Sequence, residues 1–193
     1  MVMVGPDRAR VERDLGAGKL FCSGCGDQLR PWGKARKRKL RHGPKDLELE
    51  PRRARCRGCR STHVLLPAVC LLRRRDLAEA IGQALILRAQ KVGHLRISTQ
   101  ARVPVSTVRG WLSRFKDRAE MIRAHFTRLA IELGLSASAI LPAGTPSADA
   151  LVALKAAHHF AVARLGPTDL WQFAAAASGG LLINTNPHLP NPM

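Results

Sequence analysis

Apolar positions divide the chain into two parts with different periods. Between residues 20 and 67 they are sparse. In the arm 46–56, Leu47 and Leu49 fall on one face with Glu48 and Glu50 on the other, the period of a half-buried strand. The arm 33–41 carries charge on both faces and predicts an extended segment that is not buried. The stretch His42-Gly43-Pro44-Lys45-Asp46 between the arms is rich in turn formers, so the pattern predicts a β-hairpin.

From Arg74 onward the spacing becomes helical. Leu77, Ile81, Ala84, Leu85 and Arg88 predict a helix over 74–92 with Gly93 as its C-cap. A short helix over 94–102 and a third after Val103 follow, with Pro104 at its start and Ser106 and Thr107 in its first turn. Ile97, Ala101, Val103, Val108 and Trp111 sit where a helix-turn-helix needs apolar contacts. Arg102 stands at the turn position usually held by Gly, where a positive φ would be strained. The alternative is an ordinary three-helix bundle that enters no groove.

A second series begins inside the third helix. Val108, Leu112, Phe115, Ala119, Ile122, Phe126, Leu129 and Leu133 alternate spacings of 4 and 3 up to Gly134. That heptad seam predicts one long helix. It either pairs with a second copy, making a homodimer, or packs inside the chain. Beyond it, residues 134–144 read as a linker. Thr145 caps a helix that opens on Pro146 and runs to Leu165, with Leu151, Leu154, His158, Ala161 and Leu165 on one face. A last short helix ends at Gly179-Gly180.

Charge changes the picture. The chain of 193 residues carries a net charge of +18. Residues 1–75 hold +13 of it, residues 76–133 hold +5, and residues 134–193 are neutral. Such an excess calls for a polyanion and places its surface in the first two thirds. No apolar run reaches the ~18 residues of a membrane span, and the first residues lack the apolar core of a signal peptide. A cytoplasmic, nucleoid-associated protein with no membrane partner is the expectation.

The cysteines add chemistry. Cys22 and Cys25, then Cys56 and Cys59, form two C-x2-C pairs separated by 30 residues. In a reducing compartment this spacing suits a zinc site, each pair converging two thiolates on one ion. Four thiolates leave no open position, so one structural zinc ion is expected. Glycines beside the cysteines suit tight knuckles. Cys70 reads as a small buried hydrophobe; His42 and His63 are alternative ligands that nothing requires. Zinc binding in small fingers supplies ~10–16 kcal/mol, enough to hold a charged hairpin that has no core. Lys34, Arg36, Lys37, Arg38, Lys39 and Arg41 then form a basic arm for a nucleic-acid backbone. Trp32 either stacks on a base or packs over the ribbon's apolar side.

If the third helix enters the major groove of double-stranded DNA, Ser106, Thr107, Arg109 and Gly110 meet base edges. Arg109 suits guanine O6 and N7. Arg102, Arg114 and Lys116 would touch phosphates. The fold class expected is mostly α with a small N-terminal zinc-ribbon β-hairpin. Its parts are a helical lead-in (1–19), the ribbon (20–67), a helix-turn-helix with a long helix (74–133), a neutral Ala-rich helical tail (145–180) and a loose end (181–193).

This order is similar to the DNA-binding N-terminal half of zinc-ribbon insertion-sequence transposases. The resemblance rests on Cys22, Cys25, the arm Lys37 to Arg41, and the run Arg52 to Cys56 with Cys59. A closer resemblance is to a family of stand-alone actinobacterial zinc-ribbon/helix-turn-helix proteins. It lies in "C-x-x-CG-x-x-L-x-PWG" at 22–33, "RRARCR-x-C-x-x-THVLLP" at 52–67 and "STVRGWL-x-RF" at 106–115. The resemblance implies DNA binding, as a regulator or transposase-derived module. It stops short of catalysis: transposases use three carboxylates to hold metal, and only Asp149 and Asp169 lie beyond residue 133. A protein that is not an enzyme is expected. The alternatives are an RNA- or ribosome-associated ribbon protein, and an accessory subunit of a recombinase whose C-terminal helices dock a protein partner.

Overall fold

A computed structural model describes residues 1–42, 45–136, 140–185 and 189. It is mixed α/β, with 47% helix and 18% strand, so the expectation of a mostly helical chain is corrected. The centre of the hairpin turn, Gly43 and Pro44, and most of the expected loose end lie outside the described residues.

The N-terminal part is a sheet with strand order β1 (Val2–Val4), β6 (Thr62–Pro67), β5 (Arg52–Cys56), β2 (Leu29–Lys34). β1 runs parallel to β6, and the other pairs are antiparallel. Alternation along the strands puts Leu29, Ala54, Cys56 and Leu65 on one face, where they close over Val11 and Leu15 of α1 (Arg8–Gly16). Asp7 starts that helix, its carboxylate accepting from the N–H groups of Ala9 and Arg10. The lead-in is therefore a strand followed by a helix.

Both hairpin arms are interrupted. Beyond β2 and β5 the pairing resumes in a second ladder, β3 (Arg38–His42) with β4 (Lys45–Leu49), bridged by the Ala35 N–H on Pro51 O at 2.8 Å. The arm charged on both faces is not wholly exposed. Leu40, opposite Leu47, is buried among Leu66, Cys70 and Leu77. Cys70 is buried as the sequence suggests.

The helices form the second part: α2 (Ala78–Ala89), α3 (His94–Ala101), α4 (Val105–Asp117), α5 (Ala119–Glu132), α6 (Pro146–Leu165) and α7 (Leu170–Ala177). The first begins four residues later than its spacing predicts, because Arg75 and Asp76 are held against β3 and Leu77 bridges Cys70. Arg41 donates its N–H to Arg75 O at 2.6 Å, and Arg41 bridges Asp76. Gly93 caps the start of α3 rather than the end of α2. Arg102 does take the left-handed conformation, φ 53 and ψ 44. Ser98 Oγ donates to Val103 O across that turn at 2.6 Å.

The expected long helix breaks at Arg118, where φ is −113 and ψ is 3. Phe115 of α4 and Ile122, Phe126 and Ala130 of α5 enter one core, which α5 lines chiefly with α6 and α4 with α2 and α3. Phe115, Ala119, Ile122 and Phe126 are buried within this chain, and Leu112 and Leu129 pack partly against the same cluster. The seam packs within the chain, the second of the two readings its spacing allows; Leu133 lies half-buried just beyond α5.

The neutral tail shares that core. Ala150, Leu151, Ala153, Leu154, Ala157 and Trp171 belong to the cluster holding Ile81, Ile97 and Trp111. Thr145 caps α6 as expected, accepting from the Ala148 N–H, and Pro146 opens it. Among the described residues no helix is long and apolar enough to cross a membrane.

Candidate metal centre and basic surfaces

Two knuckles converge at the base of the hairpin. The first runs from Phe21 to Gln28, which pair across it. Cys22 O accepts from the Gly26 N–H at 3.0 Å, and Gly26 takes φ 74. The second closes with the Cys56 N–H on Ser61 O at 2.9 Å, and Arg60, not a glycine, takes φ 59. The glycine argument thus holds for one knuckle only.

The sulfurs of Cys22, Cys25, Cys56 and Cys59 all lie within 4.8 Å of one another. Cys25 and Cys56 are 3.4 Å apart, Cys22 and Cys59 3.7 Å. A tetrahedron of thiolates with metal–sulfur bonds of ~2.3 Å has edges of ~3.8 Å, so the cluster fits one ion of zinc's size with little movement. The four cysteines could hold one metal ion, and the all-sulfur donor set is consistent with zinc. The thiols themselves are unevenly placed. Burial pushes Cys56 up to about 12, while hydrogen bonds from the Ser61 side chain and backbone bring Cys59 down to about 6.

His63 is outside this set but touches it. Its Nε2 lies 3.2 Å from Cys22 Sγ and its Nδ1 3.2 Å from the Met1 amine. It is placed to orient a ligand rather than to be one. The His42 side chain lies outside what is described.

The basic arm is partly neutralised. Lys34 Nζ is 2.7 Å from Glu50, whose carboxyl it holds below the usual range. Arg41 Nε lies 2.6 Å from the buried Asp76. Arg36, Lys37 and Lys39 are exposed, and Arg38 is half-buried.

A second basic surface was not apparent in the sequence. The N-terminal half of α4 lines an open cleft of about 330 Å³ whose other wall is Arg73, Arg74, Arg75 and Asp76, the last facing Arg41. Ser106, Thr107 and Gly110 are in it, with Arg114. Arg109 is exposed on the same helix but outside the cleft lining, and Arg102 and Lys116 are exposed. Arg114 Nη1 folds back to donate to Gly110 O at 2.8 Å, close against the space a Cβ on Gly110 would take. Arg74 is anchored to Ile183 O at 3.1 Å, and burial lowers its pKa. The run Arg73-Arg74-Arg75 was the available signal, masked by its fit to the helical period of Leu77.

No protein-family model matches the chain, and no curated protein or solved structure is similar to it.

Proposed function

We propose that this chain is a non-enzymatic DNA-binding protein, a regulator or transposase-derived module, in which a zinc ribbon is coupled to a helix-turn-helix formed by α3 and α4. The observation that carries the reading is the cleft beside α4. Short polar side chains at a helix N-terminus, Ser106 and Thr107, stand next to Gly110, and three guanidiniums, Arg73, Arg75 and Arg114, surround them. A helix that reads the major groove needs this division, with small groups reaching base edges and cations holding the flanking phosphates.

In this reading Ser106, Thr107 and Arg109 meet bases, and Gly110 lets the helix approach closely. Arg73, Arg75, Arg102, Arg114 and Lys116 hold phosphates, and the exposed Arg36, Lys37 and Lys39 of the hairpin extend the grip along the backbone. One structural zinc fixes the hairpin. Because the apolar seam is buried within the chain, the protein binds as a single reading head, without needing a two-fold site.

The test is selection of bound sequences from a random duplex library with zinc-loaded protein. An enriched half-site, lost in Ser106→Ala and Arg109→Ala, supports the reading. Tight, salt-sensitive binding with no enrichment overturns readout by α4 and points to RNA as the partner. With six or more phosphate contacts, affinity falls ~10³-fold or more between 50 and 200 mM salt.

A further inference from the structure

The outer face of the ribbon sheet has a character of its own. Arg30 and Arg55 are cross-strand partners, so both project from the face opposite Leu29, Ala54 and Cys56. Trp32, two residues along β2 from Arg30, projects there too. Its indole is 47% exposed, unusual for so large an apolar group. The Arg55 guanidinium lies 4.6 Å from the ring centroid and that of Arg30 5.9 Å. Arg55 Nε donates to Arg60 O at 3.2 Å, which ties this stack to the second knuckle.

Beside the ring is an open cleft of about 520 Å³ lined by Arg30, Arg55, Arg57 and Arg60. These four differ from the cations of the hairpin arm. Lys34, Arg41 and Arg52 each face a carboxylate of the chain, whereas none of the four does so among the described residues. The one acidic residue of the knuckles, Asp27, turns Oδ1 to the Gln28 N–H at 2.6 Å. The cysteine end of the ribbon thus carries four guanidiniums that face no carboxylate among the described residues, around an exposed aromatic ring held by two of them.

The geometry points to a second nucleic-acid site here, a platform for unpaired nucleotides. Trp32 stacks on a base, and the four arginines hold the phosphates on either side. A duplex offers no free base face to such a ring, because its bases stack on one another. A single strand offers a π-face at every residue along with its backbone charge. The inference rests on the nucleic-acid reading above, but it concerns a different face and a different form of the polymer.

The chain carries its own reporter. Of its three tryptophans, Trp111 and Trp171 are buried, at 2% and 3% exposure, and Trp111 borders the α4 cleft, so quenching that is lost in Trp32→Phe reports Trp32. Zinc-loaded full-length protein is titrated with single-stranded oligothymidylate and, separately, with a duplex. Anisotropy of the labelled strand gives the affinity. The expected result is saturable quenching by the single strand, affinity weakened roughly 5- to 100-fold in Trp32→Ala, and recovery in Trp32→Phe. Arg57→Ala with Arg60→Ala weakens the same binding and lowers its salt slope, while Lys155→Ala, exposed on the neutral α6, leaves it unchanged. Unaltered single-strand affinity in Trp32→Ala, or no quenching at saturation, overturns the inference. If duplex enrichment persists in that case, the reading of α4 stands alone. Quenching without duplex enrichment removes the α4 reading and leaves this one.

Discussion

Arg41 of the hairpin and Asp76 ahead of α2 meet at 2.6 Å, Nε to Oδ1, with the aspartate side chain only 5% exposed. Neither atom has an aligned hydrogen-bond partner, so the contact is a charge pair rather than a directed bond. It joins the sheet that carries the four-cysteine cluster to the helical core, next to the Arg41 N–H on Arg75 O. A buried carboxylate that keeps its charge needs such a partner.

Asp76→Ala is expected to destabilise the protein by about 2–4 kcal/mol, because it leaves Arg41 partly buried and unpaired. Denaturant unfolding of the single variants and the double variant with Arg41→Ala checks this. The double variant should lose less than the sum of the two singles.

Metal removal is expected to act on one part first. A chelator should release one zinc per chain and abolish the β-sheet signal, while the helical signal persists, because α2–α7 share an apolar core that includes none of the four cysteines. Cys25→Ser or Cys56→Ser should reproduce the effect. Loss of all helix in step with the metal would contradict it.

Gly82 lies under Trp171, and a Cβ there would run into ring atoms Cδ2 and Cε2. Gly82→Ala gains about 1 kcal/mol in helix propensity, yet overpacking of ~1–3 kcal/mol or more should outweigh it. Thermal melting should show a net loss, relieved when Trp171→Leu is added.

Gly110→Ala should behave oppositely. Its Cβ would meet Arg114 Nη1 at 2.8 Å, the far end of a flexible side chain that can move. The variant should be more stable by up to about 1 kcal/mol and bind duplex DNA less well, as Arg114 leaves the cleft. Raised stability with unchanged affinity would remove Arg114 from the interface.

His125 titrates against the fold. Burial lowers its pKa below the ordinary 6.5, and its Nε2 lies 3.1 Å from Ala177 O beside Phe126. Arg128 lowers it further, and Glu132 and the carbonyl oppose the shift. A base whose folded pKa is depressed is protonated first in the unfolded chain. Stability is therefore full above about pH 6.5 and declines as pH falls below it. Unfolding followed from pH 7.5 to 5 should show that slope, flattened in His125→Gln.

What could be read from the sequence follows from the range of the forces involved. The four cysteines of the candidate metal centre are visible because two C-x2-C pairs have the spacing that convergence on one ion requires. Thr145 with Pro146, and Gly166, mark helix ends through local backbone needs. Val2–Val4 is too short to show a period, and its pairing with β6 depends on residues more than sixty positions away. Leu40 looked like one apolar residue lost among charges, because only the neighbouring Leu66, Cys70 and Leu77 make it a core position. The break at Arg118 has no local mark, since no proline or glycine stands there; it is set by which helix each half of the seam faces. Arg73 to Arg75 continue the helical spacing, yet Arg73 takes a left-handed turn at φ 59, Arg74 is tied to Ile183, and Arg75 accepts from the docked hairpin.

Burial of Leu40 also imposes parity on its arm. Side chains alternate along a strand, so moving the register by one residue would send Leu40 to solvent and drive Lys39 or Arg41 inward. A shift of two would restore the faces. A one-residue insertion within β3 should therefore cost more stability than a two-residue insertion that again sets an apolar side chain in the place of Leu40.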